Sequence, residues 1–183
     1  MRLLTVFLLV FLSLPALADP FSQASKETGV PENLLIAVAR TESGLSPYSF
    51  AVWSKKKDEV LSRYCRRERK IKSRFGRYLY NNCYFRRKKD AEIFLSYLLS
   101  SPTISNFSVG LMQINSSWIK SLNVSPYLLL DPDFNVLLGA LILKFYYELE
   151  NDWIKALSRY YGKKTVAYKY VKKVLNNLQL SER

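Results

Sequence analysis

Apolar residues recur along this chain mainly at helical spacing. Leu34, Leu35, Val38 and Ala39 stand at i, i+1, i+4 and i+5, the stripe that one face of an α-helix turns toward a core. Pro31 suits a first helical position, and Glu32 follows in the first turn, where the helix dipole favours an acid. Glu42 lies four residues beyond Val38 and seven beyond Leu35, so helical spacing places it on the apolar face at the last turn, with Gly44 ending the helix behind it. A second helix is predicted from Asp90 to Ser100, with Ile93, Phe94, Tyr97 and Leu98 on one side. Asp131 or Asp133 is placed to cap a third, running from Asn135 toward Glu150. Its first half is apolar nearly all round, so it is expected to be the central buried helix. Asp152 caps a helix from Trp153 to Tyr161 that stops at Gly162, and a last one from Thr165 carries Tyr170, Val171, Val174 and Leu178. No run alternates long enough to predict a long strand, and no repeat is visible. The pattern predicts a single, mainly α domain.

The first 18 residues stand apart. A basic start at Arg2, about a dozen mostly apolar residues and the ending Ala16-Leu17-Ala18 are the parts of a secretory signal, too short for the roughly 20 residues of a membrane-spanning helix. Cleavage is expected after Ala18, leaving one domain over 19–183 in a periplasmic setting. Cys65 and Cys83, the only two cysteines, are then expected to form a disulfide in an oxidising compartment.

Charge changes the picture of one segment. Of 28 basic residues, 15 fall between Lys55 and Lys89, against only three acids, which leaves the rest of the chain close to neutral. Aromatics are interleaved with the bases, and both cysteines lie inside. We read 55–89 as a helical, disulfide-tied insertion. It reads either as a solvated basic face or as a surface for anionic wall polymer or lipid headgroups. Nucleic acid is disfavoured as a partner, because export separates the protein from most DNA and RNA.

Histidine is absent. That excludes Ser-His-Asp and Cys-His devices and imidazole zinc sites, and two cysteines alone do not build a thiolate metal site. No metal or other cofactor is expected. Chemistry falls to carboxylates, amides, tyrosines and hydroxyls. Glu42 is the candidate acid, since a carboxyl on an apolar face is disfavoured as an anion and holds its proton to higher pH. Between the basic segment and the central helix lies Gly110-Leu111-Met112-Gln113-Ile114-Asn115, in which Gly110 permits close backbone approach and Gln113 and Asn115 are amides suited to a sugar.

Glu42-Ser43 at a helix end, then Gly110-Leu111-Met112-Gln113, then Ala156-Leu157-Ser158-Arg159-Tyr160-Tyr161 on a later helix, resembles the soluble lytic transglycosylase (SLT) family over about 19–54 and 88–179. The resemblance implies a goose-lysozyme-like, mainly α fold and cleavage of peptidoglycan. The stretches Asp90 to Asn115 and Asp131 to Leu143 look most like specialised members that accompany type IV and type III secretion machines. Carried over residue by residue, it implies Glu42 as catalytic acid, with Ser43 and Tyr160 orienting it by hydrogen bonding. It also implies that Gln113 holds substrate or the acid, with Asn115 a further sugar contact. Tyr161 stands where the family's third motif has asparagine, and 55–89 has no counterpart in the motifs.

Hydrolysing glycosidases usually carry two carboxylates, and no second acid near the motifs is compelling. A single acid suits the transglycosylase route, with 1,6-anhydro-muramic ends as product. Two other readings remain at this stage: a hydrolytic muramidase, and a non-catalytic wall-binding assembly factor of a secretion or conjugation machine.

Overall fold

The computed structural model describes residues 19–73, 76–162 and 165–181. The predicted signal segment, 1–18, lies outside them. Helix α1 (Pro20–Thr28) is followed by α2 (Glu32–Glu42), strand β1 (Ser49–Ser54) and a short α3 (Glu59–Tyr64). Next come β2 (Cys65–Ser73) and β3 (Gly76–Tyr84), α4 (Lys88–Ser100), β4 (Ile104–Val109), the two-residue β5 (Ile114–Asn115) and α5 (Ser116–Leu122). A 3₁₀ turn at Pro126–Leu130 leads to α6 (Pro132–Glu150), α7 (Trp153–Tyr160) and α8 (Tyr168–Ser181).

The predicted helices form where the pattern put them. Asp131 caps α6 by accepting from the Phe134 amide at 3.0 Å, and Asp152 caps α7 through the Lys155 amide at 3.0 Å. Val136, Leu138, Ala140, Ile142 and Leu143 of α6 are buried, whereas Phe145 and Leu149 farther along are exposed. The helix is therefore central only in its first half. It carries α1 and α7 at its sides, while α8 packs along α2. The last helix begins at Tyr168 rather than Thr165.

The basic segment is the main correction. Among the described residues of 55–89 only α3 and the start of α4 are helical, and 65–73 and 76–84 form two nine-residue antiparallel strands, β2 and β3. They belong to an antiparallel sheet ordered β2-β3-β1-β4-β5. Lys, Arg and Glu are good helix formers, and this favours the helical reading of β2. The partner strand, with Tyr78, Tyr80 and Tyr84, decides otherwise. The 18-residue separation of the two cysteines points the same way. In one straight helix it would span about 27 Å, whereas the hairpin sets Cys65 opposite Cys83, and the two are bonded.

The sheet has two unlike faces. Phe50, Val52, Cys83, Phe107, Val109 and Ile114 are buried in the core on one side. Ser49, Ala51, Trp53, Tyr80, Asn82, Ser108 and Asn115 share the other, by register and by strand alternation.

Candidate active site

Glu42 ends α2 on the face that carries Leu35 and Val38. The backbone turns sharply behind it through Gly44 (φ 66°) and Leu45 (φ 63°), both left-handed. The side chain is half-buried, yet its carboxyl lies amid enough protein that loss of hydration outweighs every other influence on it. Burial lifts its pKa from an ordinary 4.5 to about 7. Two opposing influences come from α8: the Tyr170 hydroxyl donates to Glu42 Oε1 at 2.7 Å, and the positive charge of Lys173 favours the anion. Lys173 Nζ itself donates to the Thr41 carbonyl at 2.8 Å, and Asn177 Nδ2 to Thr41 Oγ1 at 2.8 Å. Three residues on one face of α8 thus bind the last turn of α2. The result is a carboxyl that is half protonated near neutrality and fixed in place.

Facing this helix end is the turn Gly110-Leu111-Met112-Gln113. Its shape is imposed by Asn135, a fully buried amide on α6. Asn135 Oδ1 accepts from the Met112 amide at 2.8 Å, while Nδ2 donates to the carbonyls of Val109 and Leu129, each at 3.0 Å. Gly110, with φ 84°, leaves room for this amide: a Cβ there would sit 2.2 Å from Asn135 Nδ2. On the next turn of α6, Gly139 receives the Met112 side chain, and a Cβ would again collide with it, at 2.6 Å. Gln113 adopts φ 49°, unusual for a residue with a side chain. Its own amide holds it there, Nε2 donating to Ser49 Oγ and to the Gly110 carbonyl, both at 2.9 Å.

Tyr160 joins the two halves. Its hydroxyl donates to the Met112 carbonyl at 2.7 Å. Burial first, and then the Glu42 charge, raise its pKa well above the ordinary tyrosine value. Burial and Glu42 act on Tyr170 in the same direction.

The residues singled out in the sequence are placed as follows. Glu42, Tyr160 and the Met112-Gln113 turn come together. Ser43 is buried beside Glu42, but its hydroxyl donates to the Ala39 carbonyl at 3.0 Å. Both hydroxyls expected to bond the acid, those of Ser43 and Tyr160, are thus engaged elsewhere, and Tyr170 makes that contact. Gln113 Nε2 bonds the protein rather than the acid. Asn115 caps α5, accepting from the Ser117 amide at 3.0 Å, and donates to Ser108 Oγ at 3.3 Å. Tyr161 lies flat on Tyr170, ring centroids 4.5 Å apart and planes 17° apart.

Sequence reasoning missed Tyr170, Lys173 and Asn135 as parts of the site. Each left a signal: a tyrosine on a buried stripe needs a partner for its hydroxyl, and an amide in an apolar stretch of helix needs several.

The family model described as "Transglycosylase SLT domain" matches residues 19–176, most of the chain. The chain belongs to the SLT family. Neither a curated protein nor a solved structure matches it. SLT membership makes the fold lysozyme-like, and peptidoglycan is the substrate class of the SLT domain. Within this SLT domain the acid, the glycine-led turn and the α7 tyrosine all border one site. The family match takes in the basic hairpin as well.

Proposed function

We propose that the protein is an exported lytic transglycosylase that cleaves between N-acetylmuramic acid and N-acetylglucosamine without water, leaving 1,6-anhydro-muramic ends. The observation that carries this reading is Glu42, a carboxyl held near pKa 7 by burial and anchored by Tyr170. At neutral pH a large fraction of it is protonated, as a general acid requires. Glu42 gives its proton to the glycosidic oxygen while the 2-acetamido group of the substrate assists departure. The resulting carboxylate then takes the proton of the muramic 6-hydroxyl as that oxygen bonds carbon 1. The acid is restored, and no water is consumed.

Several of the other carboxylates have structural duties. Asp58 accepts from the hydroxyls of Tyr97 and Thr103 and from the Leu61 amide. Asp131 and Asp152 are helix caps, and Glu150 pairs with Arg159 at 2.6 Å. This supports a one-acid route over the two-carboxylate hydrolysis of most glycosidases. The segment 1–18 would deliver the enzyme to the periplasm. We place its task in local opening of the wall for a secretion or conjugation machine, following the likeness in 90–115 and 131–143.

The test is digestion of purified peptidoglycan by the protein and by Glu42→Gln, with products identified by mass spectrometry. Anhydro ends are expected, with turnover in the variant down by about a thousandfold or more. Water-added reducing ends would make the enzyme a muramidase. Intact peptidoglycan would leave a binding role.

A further inference from the structure

Helices α3 and α4 border an open groove of about 400 Å³, and none of the residues at the Glu42 site lines it. Val60 and Tyr64 reach it from α3 at i and i+4, and Ile93, Phe94 and Tyr97 from α4 at i, i+3 or i+4, so each helix turns a stripe toward it. Phe85 completes the lining, its ring 4.9 Å from that of Phe94 and 6.3 Å from that of Tyr64. The core takes Leu61 and Leu95 from the same helices, yet Tyr64 and Ile93 are left 51% and 63% exposed. One exposed apolar side chain is ordinary. Two large ones over a single apolar groove mark a surface that something covers.

The walls are fixed before anything binds. Asp58 caps α3 by accepting from the Leu61 amide at 3.1 Å, and it also accepts from the Tyr97 hydroxyl on α4. Thr103 Oγ1 adds a bond to the same carboxylate at 2.7 Å. A groove already formed costs an occupant little ordering. Its size falls within the range of pockets that enclose a ligand or an inserted side chain.

Charge says what kind of occupant suits it. Each of the two helices is entered from a basic run, Lys55-Lys56-Lys57 before Asp58 and Arg86-Arg87-Lys88-Lys89 into α4, and all seven side chains are exposed. Over 55–66 and 85–97 there are nine bases and four acids. Two of those acids are engaged within the fold, Asp58 as above and Asp90 with Arg87 at 2.7 Å. Cations at the start of α4 oppose the helix dipole, so local stability gives no reason for four of them in a row.

We propose that this groove docks an acidic segment of a partner protein, which inserts one large apolar side chain between α3 and α4 and sets its carboxylates against the Arg86–Lys89 run. Tyr, Phe and Arg, the residue types gathered here, are those enriched where protein surfaces meet. The apolar insertion supplies affinity, and the basic runs steer acidic segments in and turn basic ones away. A bilayer meets protruding side chains on a broad front, whereas a recessed groove suits a side chain that projects from a backbone. Glu42, Gln113 and Tyr160 take no part in this binding, so it holds whatever bond the acid cuts.

The experiment selects a random displayed peptide library on the purified protein at about 0.15 M salt, where long-range attraction is screened. Counter-selection on the Ile93→Asp protein removes peptides drawn by net positive charge alone. Survivors are expected to share one large apolar residue flanked by Asp or Glu. Their affinity, read by fluorescence anisotropy, should fall about tenfold with Tyr64→Ala and again with Arg86→Glu plus Lys88→Glu. The charge-reversed protein should also lose most of the salt dependence of binding. Thermal melts show that each variant folds, and the exposed Arg86 and Lys88 pair serves where Tyr64→Ala does not. A selection with no survivors would overturn the proposal, as would survivors that lack the acids or the common apolar residue. Affinity unmoved by the charge reversal would do the same. Vesicles rich in phosphatidylglycerol are tested beside the library: binding to them that Ile93→Asp abolishes, with no peptide selected, would assign the groove to a membrane instead.

Discussion

The helix end at Glu42 and the basic hairpin treat charge in opposite ways. Around Glu42 a single acid is taken out of water, and its neighbours are fixed one by one: Tyr170 on its oxygen, Tyr160 on the Met112 carbonyl, Asn135 behind the turn. The segment 55–89, which contains the hairpin, keeps 15 of the chain's 28 basic residues, and Cys65–Cys83 staples the hairpin at its base. The difference follows from what each region does in the reading argued here. An acid that must hold its proton near neutrality has to lose hydration, and such a site tolerates only well-satisfied groups. A surface that attracts a partner from a distance must keep its charges wet. The acid sits at the end of α2 and the hairpin at the β2 edge of the sheet, so the two kinds of charge lie in different elements.

Three substitutions sharpen that contrast, all at the Glu42 end. Asn135→Ala has the largest expected cost. It removes three hydrogen bonds and strands a buried amide and two carbonyls, for about 3–5 kcal/mol of stability in urea denaturation. A cost below about 1 kcal/mol would mean that the turn holds its shape unaided.

Glu42→Gln should act in the other direction. Between pH 4.5 and about 7 the folded protein keeps a proton on Glu42 that the unfolded chain has released, so stability falls as pH rises through this window. The glutamine variant, which has no such proton, should gain up to about 3 kcal/mol over the parent at pH 8 relative to pH 4. Parallel stability curves for the two proteins would show that burial does not tune this acid.

The smallest effect is expected for Tyr170→Phe. Its hydroxyl favours the anion of Glu42, so losing it should move the alkaline limb of the activity profile to higher pH. Turnover should also drop by about tenfold, as one positioning hydrogen bond is lost. An unmoved limb would leave Tyr170 with a packing role alone.

The helical skeleton was legible because helices announce themselves locally. The stripe ending in Glu42, the caps at Asp131 and Asp152 and the apolar first half of α6 each lie within a few residues of what they specify. Glu42 itself was legible as a misplaced acid. The sheet was not, because its evidence is non-local. Ser-Phe-Ala-Val-Trp-Ser in β1 hides its alternation, since Ala51 on the outer face is nearly as buried as Phe50 and Val52 on the inner. The bases of β2 favour a helix until β3 pairs with them. Partners of the acid failed to show for the same reason. Ser43 and Tyr160 lie in motifs, but which hydroxyl meets Glu42 depends on how α8 packs along α2, and no local pattern encodes that.

The bond between Tyr170 and Glu42 spans 128 residues of sequence. Glu42 occupies its helix as soon as that helix forms, yet it gains its anchor only when α8 has docked. A nascent, truncated or partly opened molecule therefore carries the acid without the arrangement that aims it. Local opening of one helix is enough to withdraw the aim, and redocking restores it. For a protein proposed to cut peptidoglycan, the order of assembly acts as a safety catch: the blade is set last.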